Sequence, residues 1–226
     1  MSAARNAYEV QLPNGPLVVL AELSCTELLM AMRSAGSEPS ASAQGFAVSR
    51  EALRLSIRQV DGVVVKSYEL EGTGWAQRFP RTRQFFQLAD AWTQIHLPTE
   101  DGYDAAINGA AVEDDGTAER WTVHLPADRV VVMAETDPDT VRDVMRQARE
   151  SSRAPSAADL STMIEGCRRS VREIDGSSVS LDDLSGRKWD AYFSVRETFL
   201  LGRAWQQIHT GGGQAKVGEL KPVSGA

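Results

Sequence analysis

The stretch Ser56-Ile-Arg-Gln-Val-Asp-Gly62 recurs 114 residues later as Ser170-Val-Arg-Glu-Ile-Asp-Gly176. An offset of 113 or 114 residues also relates the sequence on both sides of this stretch. The recurring residues include Val10, Leu12, Met32, Trp75, Phe86, Trp92 and His96, which return as Val123, Leu125, Met145, Trp189, Phe199, Trp205 and His209. Because chance does not preserve one offset along a whole unit, we predict that the chain is a tandem duplication.

The duplication divides the chain into four segments. We predict a first repeat over residues 1–98, a linker over 99–120, a second repeat over 121–211 and a flexible C-terminal tail over 212–226. The linker is rich in Gly, Ala, Asp and Glu, and such compositions are typical of connecting chain. Each repeat, at roughly 90 residues, is long enough for a small domain of marginal stability. We hypothesise that the two copies pack together as the subunits of a homodimer do.

Each repeat is predicted to be a β-hairpin followed by about three helices, which gives a mainly helical α+β fold. In the first repeat, β-rich runs over 8–12 and 17–20 flank Asn14-Gly15, a pair that tolerates the positive φ angles of a hairpin turn. The second repeat has similar runs over 121–125 and 130–133. Ser24-Cys-Thr-Glu27 has the spacing of a capping box and predicts the start of a helix.

An apolar stripe predicts the second helix of each repeat. Leu53, Ile57 and Val60 follow one another at steps of 4 and 3, and a longer stripe runs from Leu160 to Ile174. Both helices are expected to continue to an Asp-Gly pair, with Gly62 and Gly176 as left-handed C-terminal caps. The last helix of each repeat carries the recurring aromatic residues, which we expect to lie in the core.

Composition excludes several classes of function. A net charge of −7 does not favour binding to nucleic acid. The longest apolar run, Leu17–Ala21, is far shorter than the roughly 20 residues of a membrane span, and we see no secretory signal. Cys25 and Cys167 lack the spacing of a zinc site or a disulfide framework. HExxH, nucleophile-elbow and complete phosphate-loop motifs are absent, so we predict no metal, no cofactor and no catalytic residue.

Two histidines are the only residues that suggest catalysis. His96 and His209 both follow Trp-x-Gln-Ile, and imidazole titrates near neutral pH. Each also closes an amphipathic helix, where it can bond the last carbonyl groups, and we predict this capping or core role. The alternative is an enzyme of unknown chemistry that uses His96 or His209 together with a carboxylate.

The predicted contact surfaces are the two hairpins and a cluster of arginines. A hairpin edge can add to the sheet of a partner through main-chain hydrogen bonds. The arginines either pair with an acidic partner or form a solvated face. The predicted partner-binding residues are Tyr8, Val10, Leu12, Arg78, Arg81, Arg83, Trp121 and Val123.

The repeat resembles small tail-assembly proteins of long-tailed bacteriophages. The resemblance lies in the hairpin Val10-x-Leu-Pro-Asn-Gly15, the helix begun by Ser24 and the run Ile174-Asp-Gly176 followed by Val179-Ser-Leu-Asp-Asp-Leu184. The families are the tail assembly chaperones and the T4-type baseplate hub assembly proteins, although this chain carries two copies.

Membership would imply a non-enzymatic structural or assembly protein of a phage tail, a baseplate or a related contractile apparatus. Such a protein acts by binding other tail or baseplate proteins, with a possible oligomer, and brings no catalytic residues. It would be found in the cytoplasm of the bacterial host or in the virion. A cellular adaptor unrelated to phages is a further alternative.

Overall fold

The structure is a computed structural model that describes residues 6–36, 38, 40–96, 112–114, 120–151 and 154–210. It combines helices with antiparallel sheets, so the predicted α+β class is confirmed. We refer to residues 6–96 as the first half and to residues 120–210 as the second half. The predicted tail over 212–226 and most of the predicted linker lie outside the described residues.

The first half contains four strands and four α-helices. Its elements, in chain order, are β1 (Ala7–Gln11), β2 (Leu17–Ala21), α1 (Cys25–Ser34), α2 (Ala41–Ser56), β3 (Ile57–Val60), β4 (Val63–Val64), a 3-10 turn (Ser67–Leu70), α3 (Thr73–Arg78) and α4 (Thr82–His96). The strands form one antiparallel sheet in the order β1-β2-β3-β4.

Local sequence signals explain how these elements begin. Asn14 has a φ of 53°, which is the left-handed conformation that the hairpin turn between β1 and β2 requires. The Ser24 side chain accepts a hydrogen bond from the Glu27 N–H, and the Glu27 carboxylate accepts one from the Ser24 N–H. This capping box satisfies two main-chain donors at the start of α1 and fixes the entry of the helix.

The second half repeats this order of elements. They are β6 (Arg120–Leu125), β7 (Arg129–Ala134), α5 (Pro138–Ser151), α6 (Pro155–Ser170), β8 (Val171–Ile174), β9 (Ser177–Ser178), a 3-10 turn (Gly186–Lys188), α7 (Trp189–Tyr192) and α8 (Val195–Thr210). A further strand, β5 (Val112–Asp114), precedes them, and the sheet order is β5-β6-β7-β8-β9.

The second helix of each half is shorter than the apolar stripe predicts. α2 ends at Ser56 and α6 at Ser170, and the residues up to each Asp-Gly pair form strands instead. Gly62 and Gly176 have φ of 76° and 77°, but they lie in turns of β-hairpins and do not cap helices. Each half therefore contains two hairpins, and the prediction of a single hairpin per repeat is wrong.

The predicted linker contributes a strand to the second sheet. Val112, Glu113 and Asp114 of β5 pair with Val123, Thr122 and Trp121 of β6. The expectation of plain connecting chain over 99–120 is therefore wrong for these three residues, because they satisfy the outer edge of β6 with main-chain hydrogen bonds. The rest of residues 99–119 lies outside the described part of the chain.

The two halves share one hydrophobic core. α1 of the first half packs against α6 and α7 of the second half. The Thr26 N–H donates to Asp190 Oδ1 at 3.3 Å, and Cys25 Sγ lies 3.1 Å from Thr198 Oγ1. Because the Thr198 hydroxyl already donates to the Ser194 carbonyl, the Cys25 thiol is the donor in that contact. The halves are thus joined by α1 of the first half and by α6, α7 and α8 of the second half.

Within the described ranges, no helix is both long and apolar enough to cross a lipid bilayer.

Candidate interaction surfaces

The His96 side chain ties the end of α4 to the loop before α1. Its Nε2 accepts a hydrogen bond of 2.8 Å from the Leu23 N–H, and its Nδ1 donates to the Trp92 carbonyl at 2.9 Å. These partners require a neutral imidazole with its proton on Nδ1. The ring is 2% exposed and stacks on Trp92, and burial lowers the pKa of His96.

His209 makes the same set of contacts in the second half. Its Nε2 accepts from the Thr136 N–H at 2.9 Å, and its Nδ1 donates to the Trp205 carbonyl at 2.7 Å. The Thr136 hydroxyl lies 2.7 Å from the same Nε2. Each histidine thus joins the end of a helix to the start of another by main-chain groups. Both ring nitrogens are engaged in this way, which favours the structural role over the catalytic alternative.

The outer edge of β1 carries main-chain groups that no strand in the described ranges satisfies. The Leu12 N–H donates to the Pro16 carbonyl, and the Asn6 carbonyl accepts from the Glu22 N–H. The main-chain N–H and C=O groups of the even-numbered residues of β1 therefore point toward β2. In an antiparallel pair, the N–H and C=O groups of the residues in between point toward the opposite edge of the strand. Ala7, Glu9 and Gln11 therefore direct their N–H and C=O groups away from the sheet.

The corresponding edge in the second half is covered. β6, which matches β1 at an offset of 113, has β5 paired along its outer side. Trp121 is half-buried there, and Val123 is 0% exposed in the core. Among the described residues, the two hairpins thus differ in the availability of their outer edges, because the three residues of β5 pair with the second hairpin.

The predicted partner-binding residues of β1 have different surroundings. Tyr8 is 37% exposed, and its hydroxyl donates to Glu22 Oε1 at 3.0 Å. Partial burial and the hydrogen bond with this carboxylate raise the pKa of Tyr8. Val10 is half-buried against the core. Leu12 is 1% exposed, so its side chain, like that of Val123, is part of the core and not of a contact surface.

The three predicted arginines do not form one patch of equal exposure. Arg78 is half-buried, and its Nη2 lies 3.0 Å from Glu69 Oε2. Arg81 and Arg83 are exposed at the start of α4. Arg78 thus already pairs with an acidic side chain of the same chain. Of the three arginines, Arg81 and Arg83 are the two that form a solvated face.

An aromatic face on the first half was missed by the sequence analysis. Phe46 of α2 and Phe86 of α4 are 45% and 59% exposed. Their ring centroids are 6.5 Å apart, and both rings contact Phe85. Trp75 of α3 is half-buried beside them, with its ring 6.0 Å from that of Phe85. We call Phe46, Trp75 and Phe86 the aromatic face. The sequence signal was the adjacent Phe85-Phe86, of which a single helix buries only one.

An exposed groove runs along α5 of the second half. It is lined by Pro138, Val141, Arg142, Met145, Arg146, Arg149 and Glu150. Met145 is 43% exposed and Val141 is partly buried against the core, whereas Val144 and Ala148 on the adjoining side of the helix are buried. We call Pro138, Val141 and Met145, with the arginines beside them, the α5 face.

In the described part of the chain, no group of three or more His, Cys, Asp or Glu side chains is arranged to hold a metal ion. Cys25 and Cys167 are both buried free thiols. Burial raises the pKa of Cys25 to about 12 and raises that of Cys167 as well. Neither thiol is therefore a nucleophile at neutral pH in the folded chain.

Comparison of the chain with protein-family models, with curated proteins and with solved structures found no match.

Proposed function

We propose that this protein is a non-enzymatic structural or assembly protein of a phage tail, a baseplate or a related contractile apparatus, and that it acts by binding other proteins. We also propose that its halves are two copies of one module. The tail-protein part of the proposal is supported by the resemblance of the repeat to tail assembly chaperones and baseplate hub assembly proteins. The binding part is supported by the geometry of the hairpins.

The observation that carries the proposal is the outer edge of β1. Three residues, Ala7, Glu9 and Gln11, present outward N–H and C=O groups, and five consecutive residues keep regular pairing with β2 behind them. A partner strand that pairs here gains main-chain hydrogen bonds without any rearrangement of the sheet. The other outer strand of this sheet, β4, is only two residues long and offers less.

The second half shows what such an addition looks like. β5 pairs with β6 through three residues in an antiparallel register. Because β1 matches β6 in sequence, a partner segment of similar length is expected to bind β1 in the same manner. A short strand alone gives modest affinity, so side-chain contacts on either side of it would complete the interface.

A proline at position 9 tests this mode of binding. Glu9→Pro removes an outward N–H and leaves the pairing of Tyr8 and Val10 with β2 unchanged. Glu9→Ala is the matched control, since it removes the same carboxylate and keeps the N–H. Each variant is co-expressed with the products of the neighbouring genes, and the bound proteins are identified by mass spectrometry.

We expect a tail or baseplate protein to co-purify with the wild-type chain and with Glu9→Ala, and to be lost with Glu9→Pro. Circular dichroism checks that both variants are folded. Capture that is unaffected by the proline would refute strand addition at β1. A set of captured proteins that contains no tail or baseplate component would refute the assignment to a phage tail.

A further inference from the structure

We propose that this chain binds a second copy of itself head to tail, with the α5 face of one molecule on the aromatic face of the next. This contact is separate from the β1 edge and does not depend on it. A contact of this kind is already present between the two halves. That contact uses α1 of the first half and the later helices of the second half. Among the described residues, it leaves exposed the two matching surfaces, which are the α5 face of the second half and the aromatic face of the first half.

α1 shows how helix 1 docks. Cys25, Leu28 and Met32 lie along its side toward the second half, and Cys25 and Leu28 are each 1% exposed. Phe199 of α8 lines the same cavity as Leu28 and Met32. Arg33 lines a second cavity with Trp189. An apolar row flanked by an arginine therefore sits against aromatic residues of the second half.

The α5 face carries the same row with less burial, since Val141 is only partly buried against the core. At an offset of 113, Cys25, Leu28, Met32 and Arg33 match Pro138, Val141, Met145 and Arg146. All four of these residues line the exposed groove along α5. Met32 is half-buried between the halves, whereas Met145 is 43% exposed. Met145 thus keeps the apolar character of Met32 and lacks its burial.

The aromatic face is the matching receiving surface. Phe46, Trp75 and Phe86 correspond to Leu160, Trp189 and Phe199 of the second half. Leu160 and Trp189 are 3% and 1% exposed, and Phe199 is partly buried against the core. In the first half the exposed fraction rises to 45% for Phe46 and 59% for Phe86. Exposed aromatic residues grouped in this way are typical of protein interfaces.

The residues that differ between the two contacts change together. Within the chain, the Cys25 thiol meets the Thr198 hydroxyl at 3.1 Å. The matching positions are Pro138, which is exposed, and Phe85, which is 5% exposed and in contact with Phe46 and Phe86, so a polar pair is replaced by an apolar pair. Arg142 replaces Leu29, and a guanidinium beside Phe86 or Trp75 gains from stacking on an aromatic ring. The free surfaces therefore remain complementary to each other.

This contact joins unlike surfaces, so it does not close after two molecules. A heterologous contact builds a ring if its rotation closes and a filament if it does not. Each molecule would use its α5 face on one neighbour and its aromatic face on the other. The full-length chain is therefore expected to form species larger than a dimer as its concentration rises.

Sedimentation velocity on the full-length chain tests the proposal. Met145→Glu places a charge on the α5 face, and Phe86→Glu places one on the aromatic face. Both sites are exposed, so the fold is expected to tolerate them. Met30→Glu is the matched control, because Met30 is 51% exposed on α1 and lies outside both faces.

We expect wild type and Met30→Glu to assemble with concentration and each face variant to lower the association constant at least about tenfold, since the contact would bury an unpaired charge. An equimolar mixture of Met145→Glu and Phe86→Glu is expected to form dimers and nothing larger, because only one intact pair of faces remains. A wild-type chain that stays monomeric overturns the proposal. Self-assembly of Phe86→Glu alone also overturns it, since that result would indicate α5 pairing with α5.

Discussion

His96 allows a sharp test of the structural role of the two histidines. We expect His96→Phe to keep the volume of the ring, to leave the fold unchanged and to lower the free energy of unfolding. The Leu23 N–H would lose its acceptor at Nε2, 2.8 Å away, in a site where His96 is 2% exposed. A buried donor without a partner costs about 1–3 kcal/mol. The Trp92 carbonyl adds little, because it also lies in the hydrogen-bond ladder of α4.

The matched control is His209→Phe. Thr136 and His209 are both half-buried, so water can reach the Thr136 N–H when its acceptor is removed. We expect a loss below about 1 kcal/mol in this variant, because a solvated donor is not left unsatisfied. Urea unfolding followed by circular dichroism measures both values, and amide exchange at Leu23 reports the local effect.

The same variant carries a pH signature. Burial lowers the pKa of His96 in the folded chain below its usual value of 6.5, so the unfolded chain binds the extra proton first. The stabilisation by His96 is complete above the unfolded pKa and is lost as the pH falls toward the folded pKa. At about pH 5.5 this effect is expected to lower the free energy of unfolding of the wild type by up to about 1.4 kcal/mol. The His96→Phe variant lacks the imidazole and is expected to show no such decrease. The difference between the two proteins should therefore shrink on acidification.

A variant as stable as wild type would refute this account, and so would a difference that does not change with pH. Loss of a measured enzymatic activity in a variant that remains folded and still binds its partner would instead favour the catalytic alternative.

Four further outcomes follow from the packing and the charges. Gly166→Ala is expected to destabilise the chain by about 1–3 kcal/mol, because its Cβ would lie 2.8 Å from Trp205 Cε2. Gly45→Ala, with no atom within 4 Å, is expected to stabilise α2 by up to about 1 kcal/mol in the same urea experiment. Cys25 and Cys167 are expected to react with a chromogenic disulfide reagent only after unfolding, since both are buried; fast labelling of the native chain would contradict this. The carboxyl of Asp175 is expected to titrate below 3.8 by NMR, because it accepts the Val130 N–H and lies beside Arg129, and a midpoint at or above that value would contradict the contact.

Local chemistry made several parts of the fold predictable. The Asn14-Gly15 turn and the capping box at Ser24 depend on residues that are close in sequence, and the structure contains both. The single last helix expected in each repeat is instead divided: Trp75 lies in α3 and Trp92 in α4, and the second half is divided likewise into α7 and α8. The structural role of the histidines could be anticipated only in part. Their position at the end of a helix predicted a hydrogen bond to the last carbonyl groups of that helix, and each histidine bonds the carbonyl four residues earlier. The hydrogen bonds from Leu23 and Thr136 join residues that are distant in sequence, so only the folded structure shows them.

The end of the second helix shows why periodicity alone was misleading. Ile57 and Val60 are three residues apart and both buried, which is also the spacing of a helix face. They are nevertheless strand residues, and both point toward the core because the register of the pairing shifts between Val19 and Leu20. A β-bulge of this kind depends on the partner strand, which lies about 40 residues earlier, so the local pattern could not reveal it.

By itself the sequence determined that one pattern occurs twice, where its turns and caps lie and which residues are apolar, because these properties are local. Only the tertiary structure decided which copy of each surface is buried. Met32 and Met145, like Phe199 and Phe86, are the same residue type at matching positions, yet one of each pair lines a cavity between the halves and the other is exposed. The reason is that burial depends on what a surface meets, and in a chain of two units each kind of surface can meet its complement within the chain only once.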